Sequence, residues 1–216
     1  MRWARDWVVL AALLFGAAPP TVAHAQVGLS HAQTEQFNSR FSEGTAIIGR
    51  YIILSDREPV PVDRRQINRG IELLDEALAI NPSSWEALWF KGKAYQAMSD
   101  NRSAFAAFRA AHIINPRHQA VVNEMTIAAT DLGEFDFALQ ATQQGLIDFP
   151  LDLALSARLA LVLLLMGRVD ESIAATDRTL LIAPGDHITS LIRRMAVEVR
   201  DGARPQPHSV ADLEGR

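Results

Sequence analysis

The chain contains no cysteine in 216 residues. That absence excludes disulfides, thiol catalysis and thiolate metal sites together, and it suits an oxidising compartment. No run of lysine and arginine occurs, and the formal net charge is −4. Removing Arg2, Arg5 and Asp6 with the first 25 residues leaves about −5. This balance argues against a nucleic-acid partner, whose phosphates need clustered cations. Enzyme signatures are missing too: there is no G-x-S-x-G, Walker loop, G-x-G-x-x-G or H-E-x-x-H. Asp75-Glu76 and Asp170-Glu171 are adjacent on predicted helices, where neighbours in sequence do not face each other, so neither is an acid–base pair. None of the histidines, such as His112, His118 or His187, has a ligand partner at local spacing, so the sequence implies no metal and no cofactor. With 49% hydrophobic and 21% charged residues, the chain is globular and long enough for a sizeable core.

A long apolar run is also lacking. Trp7–Ala18 is only about twelve residues, a helical rise of about 18 Å against a hydrocarbon core of roughly 30 Å. Arg2 and Arg5 precede it, Pro19-Pro20 stops it, and Ala23-His24-Ala25 supplies a small–x–small cleavage pattern. Residues 1–25 therefore read as a signal peptide, with a mature start at Gln26. The expectation is an exported, periplasmic protein with no stable membrane span after cleavage. An uncleaved anchor or a secreted product is the lesser alternative.

What is present is a beat. Pro82, Pro116, Pro150 and Pro184 fall 34 residues apart. Gly70, Ala104, Ala138 and Ser172 form a column of small residues at the same step, and Ala77, Ala111, Gly145 and Thr179 form a second. Ile71, Phe105, Leu139 and Ile173 form an apolar column beside the first. A period of this length marks stacked helix–turn–helix units. Proline closes each unit because it cannot donate the bond a continuing helix needs, and small residues recur where helices must approach closely.

Within 85–118, Trp85, Leu88, Gly92, Tyr95, Ala104, Phe108, Ala111 and Pro116 fall at signature positions, and the chain resembles the tetratricopeptide-repeat family. Lys91 departs from the usual leucine, and Phe90 is the candidate to fill its space. The units 119–152 and 153–186 are looser, with Thr126 and Ala129 in the first and Thr176 and Thr179 in the second. The resemblance implies an all-α, right-handed helix–turn–helix solenoid of one degenerate and three clear repeats with a C-terminal capping helix.

In order, 26–32 reads as a flexible leader. Residues 33–84 read as the degenerate repeat, with an amphipathic helix to about Leu54 that Gly44 threatens to interrupt, and with an inserted loop at 55–63. Ser84 and Asp152 are N-cap candidates, and Gly133 and Gly167 suit left-handed helix ends. Residues 187–200 carry one apolar stripe (Ile188, Leu191, Ile192, Met195, Ala196, Val199) and form the cap; 201–216 reads as a disordered tail.

The resemblance places a binding groove on the first helix of each pair, at its second, fifth, ninth and twelfth positions. These include Glu86, Trp89, Lys93 and Gln96, then Asn123, Ile127 and Thr130, then Ala157, Leu161 and Leu164, with Arg158 as a further polar contact. Trp89 with Lys93, four apart on one face, is the sharpest pair, since tryptophan is a frequent hot-spot residue. The alternative is that Trp89 packs inside. A family clamp for a terminal carboxylate uses Lys and Asn at fixed positions; Lys93 and Asn123 supply one each, but Ala157 and Leu161 break it. Leu159–Met166 is apolar all round, so it is either buried or an apolar floor for a peptide or second protomer, and burial is the favoured reading. The functional expectation is a non-catalytic scaffold or adaptor of the cell envelope, binding a protein or peptide. The alternative is a homo-oligomeric structural or accessory subunit pairing through the Leu161–Leu165 surface.

Overall fold

The computed structural model describes residues 28–52 and 60–214. The expected signal peptide, residues 26–27 of the leader, 55–59 of the expected loop and the last two residues lie outside the described residues. Every regular element among the described residues is helical, and the chain divides after Pro116 into two compact units.

The N-terminal unit holds α1 (His31–Ile48), α2 (Arg64–Ile80), α3 (Trp85–Ala97) and α4 (Asn101–Ile114). The first helix starts earlier than the leader reading expects, because Ser30 and Gln33 form a reciprocal capping box. It stops at Ile48 rather than near Leu54. Gly44 does not interrupt it. A Cβ there would lie 3.0 Å from Leu74 Cγ and 3.1 Å from the Gly70 carbonyl oxygen, so the glycine is what lets α1 cross α2 so closely. Phe37, Phe41, Ile48, Ile67, Ile71 and Leu74 form the core of this pair and continue to Ala87 and Ala94 of α3. Phe90 takes the place the signature gives to leucine: its ring meets Phe41 edge-on at 6.0 Å and Trp89 at 5.1 Å. Lys91 is free to turn outward, where it pairs with Asp75 of α2.

Gly92 marks the contact of α3 with α4. A Cβ on Gly92 would stand 2.4 Å from the Phe108 ring, so this crossing closes only on a residue without a side chain. Between these helices Ser99 adopts φ +59°, the positive-φ non-glycine among the described residues. Gly133 and Gly167 hold the same place in later repeats at φ +79° and +75°, as expected from their position after a helix end.

The C-terminal unit holds α5 (Gln119–Asp131), α6 (Phe135–Asp148), α7 (Leu153–Leu165), α8 (Val169–Ile182), α9 (His187–Arg200) and a short 3₁₀ turn (Ala211–Glu214). Both predicted caps form: Ser84 Oγ accepts the Ala87 amide at 3.2 Å, and Asp152 Oδ1 accepts that of Leu155 at 3.0 Å. The small columns do their expected work. Ser172 sits where α8 crosses α7, and its hydroxyl donates to the Ala160 carbonyl at 2.7 Å, so a polar group is buried without loss. The α7 helix is the core of this unit: Leu161, Val162, Leu163, Leu164 and Leu165 are all buried. The Leu161–Leu165 surface of the self-pairing alternative is therefore interior, and that route to a homo-oligomer is closed. Each such leucine contributes about 1.5–3 kcal/mol by leaving water.

The capping helix α9 buries Ile192, Met195 and Ala196 and turns Arg193 outward to Asp177 of α8 at 2.5 Å. Arg193 and Asp177 stand three repeats after Lys91 and Asp75, so the two pairs occupy one repeat position. The tail overturns the expectation of disorder. Arg204 pairs with Glu198 at 3.0 Å, Gln206 donates its side-chain amide to the Leu164 carbonyl at 2.5 Å, and Leu213 is 5% exposed. Pro205 and Pro207 prevent helix, but they do not prevent an extended segment from lying on the last repeat.

Candidate interaction surface

None of the eleven groove candidates is exposed. On α3, Glu86 and Gln96 are half-buried, and Glu86 accepts a bond from the Ser84 hydroxyl at 3.2 Å. Trp89 and Lys93 are 6% and 5% exposed. The ammonium of Lys93 lies 5.7 Å from the centre of the Trp89 ring, a cation–π contact between residues one helical turn apart. The pair is real, but its two members face each other inside the protein rather than solvent.

On α5, Ile127 is half-buried and the Thr130 hydroxyl is buried, donating to the Thr126 carbonyl at 2.7 Å. Asn123 is committed elsewhere than to a partner: its side-chain amide donates to Asp152 Oδ2 at 2.9 Å, and Gln119 donates to the same oxygen at 2.8 Å. On α7, Ala157, Leu161 and Leu164 are buried, as is Arg158 at 4% exposure.

Sequence reasoning missed Glu124, which is 1% exposed on α5. Its signal was the period itself, since Glu124 stands 34 residues before Arg158 in the same column. Opposite charges at one position of successive first helices are placed to meet. Burial lowers the Arg158 guanidinium to about 10, while Asp131 and Glu124 act on it in the opposite sense. Asp131 closes α5 with accessible surface of its own. Desolvation of its carboxyl raises it above the ordinary value, with Arg158 opposing, and the residue's exposure to water limits what that shift contributes. Buried opposite charges are weak evidence for stability but set what can approach: any segment lying here must match fixed, poorly solvated charges.

Among the described residues no group of three or more His, Asp or Glu side chains is arranged to hold a metal, and no helix is long and apolar enough to cross a membrane.

Comparison with known proteins gives the fold. A family profile described as the plant-specific mitochondrial import receptor subunit TOM20 matches residues 44–130, less than half of the chain. No curated protein matches at a significant level. A crystal structure of MamA protein superposes at a TM-score of 0.62 with 19% identity, covering 77% of this chain and 87% of that one. PilF of Pseudomonas aeruginosa gives 0.59 and 17%, covering 79% and 72%. YrrB, described as a TPR protein with an unusual peptide-binding site, gives 0.56 and 16%, covering 66% and 73%. Identities this low speak to architecture alone. With the 34-residue step and the paired helices, they settle it: the chain has the fold of the tetratricopeptide-repeat family.

Proposed function

We propose that the chain is a non-catalytic protein–protein interaction module, exported to the periplasm, that holds a partner segment on the first-helix faces. The carrying observation is that ionic side chains are recessed on these faces: Lys93 on α3, and Glu124 with Arg158 on α5 and α7. Fixed charges in poorly solvated surroundings discriminate strongly between partners, because a mismatched group is left desolvated and unpaired. The peptide-binding site attributed to YrrB shows that this fold can carry such a role. On α3 the half-buried Glu86 and Gln96 supply the accessible edge, with Trp89 and Lys93 buried; on α5 the half-buried Ile127 does so.

Site-specific photo-crosslinking in intact cells tests the reading. A crosslinker at Glu86 or Gln96 should trap one discrete partner, and the same group at the exposed Ile113 should not trap that protein. The reverse pattern would remove the first-helix faces from the function. N-terminal sequencing of the periplasmic product should begin at Gln26; retention of Met1 in a membrane fraction would defeat the export half of the proposal.

A further inference from the structure

A second surface lies on the C-terminal unit and is built from other residues than those just described. A pocket of about 190 Å³ opens between the end of α6, the start of α7 and the outer side of α8, lined by Leu146, Leu151, Leu153, Leu159, Ile182 and the side chain of Arg178. Its lining is unusually exposed for aliphatic side chains: Leu151 and Ile182 are 74% and 64% exposed, and Ile147 and Leu181, next in sequence to the lining residues Leu146 and Ile182, are 73% and 83% exposed. Large exposed aliphatics gathered in this way mark interaction sites rather than chance. The arrangement repeats. Ile147 and Leu181 stand one repeat apart, and Ile113, one repeat earlier in the other unit, is also 73% exposed.

Arg178 decides what the pocket takes. Its neighbours' carboxylates are engaged: Asp177 holds Arg193, and Asp148 faces Arg117 at 3.5 Å. Arg178 is exposed and forms no ion pair within 4.0 Å among the described residues, so a guanidinium without a counter-charge stands beside an apolar depression. We propose that this pocket docks a peptide segment of a partner protein, which inserts one branched aliphatic or aromatic side chain and sets an adjacent carboxylate against Arg178. The size fits such a group, since an aliphatic cavity of about 150 Å³ holds a benzene ring. It is too small for an acyl chain. Among the described residues, the large exposed aliphatics that precede a carboxylate offer a second copy no free one. Val62 precedes Asp63, which caps α2, and Ile147 precedes Asp148, which is paired with Arg117.

The test uses the isotopically labelled full chain and two capped octapeptides, one with a central Leu-Phe-Glu and one with Leu-Phe-Lys. The Glu peptide should give saturable shift changes at Leu151, Arg178 and Ile182. The Lys peptide should bind about three- to tenfold more weakly, as expected for one partly exposed charge pair. Arg178→Glu, an exposed change that leaves the core alone, should invert that preference, and Leu151→Ser should weaken both peptides. Equal binding of the two peptides, changes that map to α3 or α5, or no saturable change would each overturn the proposal. So would a dimer seen in sedimentation without peptide and abolished by Leu151→Ser, which would assign the face to a second copy. Loss of crosslinking at Glu86 or Gln96 has no bearing on these outcomes, so the two surfaces fail separately.

Discussion

Asp152 serves two helices with its two oxygens: Oδ1 takes the Leu155 amide at the start of α7, and Oδ2 takes the Asn123 side chain of α5 at 2.9 Å. Replacing it with alanine removes a cap and strands two side-chain amides. Asp152→Ala should cost about 2–3 kcal/mol, the sum of a cap and part of a charged hydrogen-bond set. Asn123→Ala should cost about 1 kcal/mol by losing one such bond. Urea unfolding followed by circular dichroism measures both. If Asn123 served only a partner, its alanine variant would unfold at the parental midpoint.

Gly92→Ala puts a methyl group against the Phe108 ring, and overpacking of this kind costs about 1–3 kcal/mol. Gly185→Ala is the control, because nothing lies within 4 Å of a Cβ there and the change should stay within about 0.5 kcal/mol. Calorimetry on the pair should show a lowered melting temperature for the first alone.

Ser99 occupies a left-handed position that its repeat equivalents give to glycine. Ser99→Gly should raise stability by about 0.5 kcal/mol, because relief of the Cβ clash outweighs the extra freedom of the unfolded chain. Equal unfolding midpoints in urea would show that the serine is not strained.

The Thr142 hydroxyl is buried on α6 without a hydrogen-bond partner among the described residues. Thr142→Val keeps the shape and removes an unsatisfied donor, so the variant should gain about 1 kcal/mol. A loss of similar size would mean that the hydroxyl has a partner.

Arg158 predicts an alkaline signature. Its folded value of about 10 lies below the ordinary value of a guanidinium, so between the two the unfolded chain binds a proton that the native chain has released. The penalty for burying the charge is present in full below pH 10, and this residue's contribution to stability rises as pH climbs through 10. Arg158→Met should remove that rise. The single change also leaves Glu124 buried opposite an apolar group, at a cost of about 3–5 kcal/mol, which Glu124→Gln in the same chain should largely restore. Urea titrations from pH 8 to pH 11 read both effects.

The architecture was legible in the sequence because it repeats. Each proline and small column votes for one step, and the caps at Ser84 and Asp152 follow from local chemistry that needs no tertiary knowledge. The site was less legible, for a physical reason. A repeat position states which helix face a residue occupies but not how deeply neighbouring helices cover that face, so the burial of Trp89 stood only as an alternative and that of Lys93 and Arg158 was not foreseen. Asn123 was assigned to a partner because its true acceptor lies 29 residues onward. Glu124 was visible through the Arg158 column once opposite charges were sought there. The tail was misread because its prolines and glycine report local conformation, while Gln206 is held by a carbonyl 42 residues away.

That last bond has a kinetic meaning. Contacts within and between successive repeats close loops of about one repeat length, and short loops favour rapid folding. The Gln206–Leu164 bond spans 42 residues with α8 and α9 between its ends, so its native geometry exists only once both helices have packed. The segment after α9 therefore works as a latch fastened after the helices have stacked, and on unfolding it is the natural first release.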